Sequence, residues 1–168
     1  MTDVLKKKLS RRSLLRIGGC AGVAVTGCGV SAAILGTQTD LFDRILGVSD
    51  TPLLENADAW TYEDHTLTLA LDLIPELADP GTAVRLEDGS VPEPLLIVHG
   101  ADSGYYAYIN KCPHAKRRID PLDGKLECTS FSKSTFDYAG TVLSGPADSP
   151  LTTYTVARDG DQLVITLA

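Results

Sequence analysis

Histidine is scarce in this chain. Only His65, His99 and His114 occur among 168 residues, so a site built on imidazoles has few side chains to draw on. Aromatic residues make up 6% against 43% hydrophobic residues overall, so the core of the one domain that this length allows must be largely aliphatic. Internal repeats and low-complexity runs are absent, and no segment between 64 and 168 carries the pattern of a long amphipathic helix. Neither a Ser/His/Asp arrangement nor a catalytic carboxylate pair is visible. Positive charge is missing where a nucleic-acid binder would need it. Residues 1–36 hold six basic side chains and one acid, which is +5, and the chain total of −7 leaves −12 on residues 37–168. A phosphate backbone needs a dominant basic face, so nucleic acid is excluded as a partner.

The basic residues have a place of their own. Ser10-Arg11-Arg12-Ser13-Leu14-Leu15-Arg16 is followed by a charge-free, glycine-rich run from Ile17 to Gly36. Basic then apolar is the layout of a targeting segment, and this one resembles a twin-arginine export signal. Twenty apolar residues just suffice to span a bilayer as a helix, with the basic flank on the cytoplasmic side. No Ala-x-Ala cleavage site is present, whereas Val25-Thr26-Gly27-Cys28 resembles a lipoprotein box with Cys28 as the lipidated residue. An uncleaved anchor, a lipid anchor on Cys28 and free release all remain open. Each places the domain outside the cytoplasm, the first two at the extracytoplasmic face of the membrane. Residues 1–36 are thus a signal or membrane anchor, and residues 37–60 a connector with a short amphipathic turn at 41–46.

From residue 61 onward the pattern is β. Thr66–Leu71 alternates with leucines on one face, and Ala83–Leu86 is a short strand. Leu95–His99 and Tyr105–Ile109 flank a Gly-rich turn, and Thr152–Val156 and Gln162–Leu167 flank Asp159-Gly160, so both pairs read as hairpins. The fold class is all-β, an antiparallel sandwich or barrel. His65 and His99 read as ordinary strand-end histidines of its base. Between the hairpins lies a loop-rich insertion, about residues 110–151, which holds both cysteines of the body; long insertions of this kind are usually functional.

The insertion reads Cys112-Pro113-His114, then Cys128-Thr129-Ser130-Phe131-Ser132-Lys133-Ser134-Thr135-Phe136-Asp137, then Gly145-Pro146-Ala147 and Leu151. This ordered set resembles a Rieske domain, over about residues 64–168. The resemblance implies a 2Fe–2S cluster on a small loop-rich subdomain, with two thiolates on one iron and two neutral imidazoles on the other. It implies that Cys112, His114 and Cys128 are ligands and that Gly145-Pro146-Ala147 is the proline loop covering the cluster. The second loop departs from the family pattern. Three residues past Cys128 stands Phe131, and alignment on Ser134-x-Phe136-Asp137 puts Lys133 in the histidine's place. The loop-tying disulfide of high-potential members cannot form, because no further cysteine follows either loop.

Two functions follow from the resemblance, and a third from the ligand chemistry alone. One is an exported electron carrier of a respiratory or quinol-oxidising chain, non-enzymatic itself, docking on a redox partner such as a cytochrome complex. Another is a degenerate Rieske fold without a cluster, a structural or docking module with a Cys112–Cys128 disulfide. The third is a zinc-like single-ion site on Cys112, His114 and Cys128. Lys116, Arg117, Arg118 and Lys133 read either as a basic docking tip or as a solvated turn.

Overall fold

The computed structural model describes residues 48–167. The export segment, its anchor helix, Cys28 and the turn at 41–46 lie outside the described residues. Among the described residues no helix is long and apolar enough to cross a membrane.

Among the described residues eleven strands form two antiparallel sheets. They are β1 (Trp60–Glu63), β2 (Thr66–Ala70), β3 (Thr82–Leu86), β4 (Leu95–His99), β5 (Tyr105–Ile109), β6 (Ile119–Leu122), β7 (Lys125–Cys128), β8 (Thr135–Phe136), β9 (Val142–Ser144), β10 (Thr153–Asp159) and β11 (Gln162–Thr166). The large sheet runs β1-β2-β11-β10-β5-β4-β3 and the small one β6-β7-β8-β9. The all-β expectation therefore holds, as do both hairpins, with Leu95 opposite Ile109 in one and Asp159 opposite Gln162 in the other.

Turn chemistry sets the registers. Glu63 pairs with Thr66 across Asp64 and His65, both at positive φ, as a two-residue mirror-image turn requires. Leu122 pairs with Lys125 across Asp123 and Gly124 in the same way. The latter hairpin lies in the insertion read as loop-rich, which in fact contains the whole small sheet. Its strands are only two to four residues long, too short to show alternation in the sequence. Pro121 is tolerated because β6 is an edge strand.

β4 explains how the two sheets share a core. All five of its residues are buried, so it reads as a continuous apolar run. Successive side chains point to opposite faces. Leu95 and Ile97 join the core of the large sheet with Leu67, Leu69, Leu163 and Ile165. Leu96 and Val98 join a second core with Tyr108, Ile119, Leu126, Phe136 and both cysteines. The insertion leaves from β5 and returns to β10, which pair with each other through Tyr108–Thr153 and Ala107–Tyr154. Its two ends are thereby pinned together on the large sheet.

Residues 48–54, within the segment read as a connector, run along this unit. Leu54 N donates to Arg85 O at 2.8 Å and Arg85 N to Pro52 O at 2.8 Å. Asp120 of β6 accepts from the Ser49 hydroxyl, from the Thr51 hydroxyl at 2.6 Å and from Asp50 N at 3.2 Å.

Candidate metal centre

Two loops of the insertion carry the candidate ligands. The first follows β5. Cys112 N donates to Arg117 O at 2.7 Å and Lys116 N to Cys112 O at 2.8 Å, with Lys116 at φ 54°, so the chain reverses tightly. This turn buries Cys112 completely and leaves His114 exposed. Asn110 Oδ1 accepts from Ile119 N at 2.7 Å, closing the loop where it enters β6.

The second loop joins β7 to β8. Cys128 N donates to Ser134 O at 2.8 Å, and Thr129 N donates to Arg118 O at 2.9 Å, which ties this loop to the first. Cys128 is 1% exposed and lies in the same buried core cluster as Cys112. Its thiol donates to Ser130 Oγ at 3.1 Å. Burial pushes the Cys128 thiol above its ordinary pKa, only partly offset by the Ser130 hydroxyl and backbone N–H. A buried thiol of this kind stays protonated until a cation or metal takes the place of its proton.

A third loop closes over the second. A Cβ on Gly145, whose φ is 93°, would sit 2.2 Å from Lys133 O and 2.6 Å from Ser134 Cα, so only glycine permits this approach. Ala147 N donates to the buried Ser134 hydroxyl at 3.0 Å. The Gly145–Ala147 loop is thus fixed directly against the backbone of the cysteine loop.

The predicted residues divide accordingly. The fold brings Cys112 and Cys128 together, and His114 stands two residues along the first loop at the surface. Lys133, aligned with the missing ligand, forms an ion pair with Glu127 instead. Glu127 points to it from β7, a partner that no sequence motif announces. Ser130 was equally hidden, although a hydroxyl two residues after a cysteine is within local hydrogen-bonding reach. Among the described residues no three His, Cys, Asp or Glu side chains converge to hold one metal ion, so the zinc-like reading gains no geometric support. His65 lies exposed in the β1–β2 turn. His99 is buried in the base, its Nδ1 2.9 Å from Leu77 O and its ring stacked on Tyr105.

The basic tip is less charged than it reads. Glu87 receives Arg118 Nε and Nη2 at 2.7 and 2.8 Å and Arg85 Nη1 at 2.8 Å. The Arg118 hydrogen bond holds the Glu87 carboxyl below its usual pKa and raises that of Arg118. Arg118 and Lys133 thus each face a carboxylate, Glu87 and Glu127 respectively.

Comparison with known proteins agrees with this architecture. No curated protein matches the chain. A chain of the complex of reduced oxygenase and oxidised ferredoxin in carbazole 1,9a-dioxygenase is 23% identical, over 62% of this chain and 94% of its own, with a TM-score of 0.50. That likeness supports the fold. The carbazole 1,9a-dioxygenase ferredoxin from Nocardioides aromaticivorans IC177 is 23% identical, over 60% of this chain and 95% of its own, with a TM-score of 0.49. The plasma membrane Rieske protein PetC3 from Synechocystis PCC 6803 is 23% identical, over 49% and 84%, with a TM-score of 0.42. The chain also matches the quaternary ammonium Rieske monooxygenase CntA at 20% identity and a TM-score of 0.47, spanning only 30% of that protein's length. Residues 75–155 match the Rieske 2Fe-2S domain family, a span that contains both cysteine loops and the glycine–proline loop. With this match and the two-sheet fold, residues 75–155 are similar to a Rieske 2Fe-2S domain.

Proposed function

We propose that this chain is an exported electron carrier in which Cys112 and Cys128 hold one iron of a 2Fe–2S cluster and His114 holds the other. The observation that carries this reading is the burial of two cysteines from separate loops in one core, with a third loop against the second that only glycine allows so close. Such a pair suits a single iron, and the chemistry of the donor set fits the cluster at these three positions. When bound, the cluster supplies a one-electron couple. The chain's own residues set the conditions for it. Cys112 and Cys128 exclude water from the sulfur side. The Ser130 hydroxyl, 3.1 Å from Cys128 Sγ, turns to donate once that thiol is deprotonated, which lowers the electron density on sulfur and favours the reduced state. His114 brings its side to the surface, where a partner can approach.

The twin-arginine-like order of basic and apolar residues supports a location outside the cytoplasm, with the apolar segment or a lipid on Cys28 as the membrane anchor. A respiratory or quinol-oxidising complex with a cytochrome is the kind of partner that this location offers. The reading is tested on the full chain, expressed with iron supply, by visible absorption, EPR of the reduced state, and iron and acid-labile sulfide assays. About two irons and two sulfides per chain with a reduced-state EPR signal are expected.

The same burial of both cysteines in one core supports a second reading, a cluster-free docking module with a Cys112–Cys128 disulfide, since an oxidising compartment favours that bond. A colourless, iron-free protein with neither thiol titratable would establish it.

A further inference from the structure

We infer that the cleft between the β3–β4 connection and the first cysteine loop binds a small monocarboxylate, with the Asn110 amide as its buried donor and the Lys116 ammonium as its counter-charge. The inference stands whether or not the cysteines carry a cluster.

The cleft has a volume of about 460 Å³. One wall is drawn from residues 87–94, the other from residues 110–118. Two ion pairs bridge the walls, Lys111 with Glu93 and Arg118 with Glu87. Asn110 N donates to Pro94 O at 2.7 Å and fastens them a third time. The opening is therefore held between two tied segments.

Asn110 lines this cleft although it is only 2% exposed. One bond orients its side chain. Oδ1 accepts from Ile119 N at 2.7 Å, and since only the oxygen of an amide accepts, the NH2 group takes the opposite branch. That Nδ2 is the one buried side-chain nitrogen or oxygen without a hydrogen-bond partner among the described residues. An unpaired buried donor costs about 1–3 kcal/mol, which an acceptor from outside the chain recovers.

Water would satisfy the amide alone, but the charge of the cleft asks for an anion. Beyond the two ion pairs, Lys116 and Arg117 outnumber Asp88, which gives one positive charge in excess. Asp88 is turned to Ser90, whose N and Oγ lie 2.8 and 2.7 Å from it. The Lys116 ammonium has no partner among the described residues. A single excess charge suits a monoanion, whereas a phosphate dianion would meet the three carboxylates of the lining. Val91, Pro92 and Pro94 add apolar wall, which suits a short aliphatic tail.

The test is calorimetric titration of the full chain with sodium butyrate at constant ionic strength, with butyramide and sodium chloride as controls. Butyrate should give a saturable 1:1 heat and the controls none. Asn110→Asp keeps the oxygen that Ile119 N needs, removes the donor and adds a like charge, so binding should weaken at least about tenfold. Lys116→Gln changes an exposed side chain that the fold does not use, and binding should weaken about threefold. Acetyl-alanine identifies the source of the carboxylate: tighter binding than butyrate assigns the cleft to a peptide C-terminus, weaker binding to a free small acid. No saturable heat with butyrate, or equal heat from either control, overturns the inference. So does an affinity unchanged in Lys116→Gln or in a folded Asn110→Asp.

Discussion

At the scale of single residues, the site depends on atoms that differ sharply in tolerance. On the proposed cluster reading Cys112 and Cys128 supply both thiolates, because the pair is buried and nothing else on the two loops presents sulfur. Cys128→Ser is expected to abolish iron and sulfide retention, whereas His99→Gln in the base should leave both unchanged; metal and sulfide assays on the two variants check this. Gly145 is constrained for a different reason. Its φ of 93° and the 2.2 Å approach to Lys133 O mean that Gly145→Ala meets backbone on both counts. A loss of about 3 kcal/mol is expected in a denaturant titration, from strain plus displacement of the loop. Phe131 is the contrary case, an exposed aromatic whose removal costs the fold little.

At the scale of elements, charge pairs and hydrogen bonds fasten loops to strands. The Glu87 carboxylate joins β3, through Arg85, to the first cysteine loop, through Arg118. Its folded pKa lies below the ordinary value of 4.5. The stabilisation it gives is therefore present above the unfolded value and disappears as pH falls through the folded one. Glu87→Gln should cost about 1 kcal/mol at pH 7, after allowance for solvent screening of the half-exposed Arg118, and nothing once the native carboxyl is protonated. Urea midpoints of both proteins across the acid range would show the difference closing. Asp120 has a comparable role at the other edge, where it gathers Ser49, Asp50 and Thr51 onto β6. In Asp120→Ala these three donors lose their acceptor, so amide exchange at residues 49–51 should accelerate while that of β4 stays slow.

At the scale of the whole molecule, β4 makes the two sheets interdependent. Its alternate residues serve two cores, so neither sheet keeps its packing if this strand is lost. Leu96→Ala and Ile97→Ala face opposite cores, yet each is expected to cost about 3 kcal/mol and to lower one shared transition. Trp60, the one tryptophan, packs against the large-sheet core and reports it by fluorescence. A Leu96→Ala protein whose Trp60 midpoint stays at the wild-type value would show instead that the small sheet melts alone.

Much of this architecture was legible along the chain because its signals are local. Alternating leucines at 67 and 69, the continuous apolar run of β4 and the Asp159-Gly160 turn each mark a strand or hairpin without reference to any distant residue. The small sheet was not, since two- to four-residue strands carry no period; only Asp123-Gly124 between Ile119–Leu122 and Lys125–Cys128 marked its first hairpin. By itself the sequence determined the β class, the spacing of Cys112, His114 and Cys128, and that no histidine follows Cys128. The tertiary structure alone decided that both cysteines are buried in one core, that Lys133 belongs to Glu127, and that Gly145 rests on the Lys133 carbonyl. Those contacts join positions far apart in the chain or turned by a left-handed backbone, and no local pattern encodes which side chain a long, flexible cation will find.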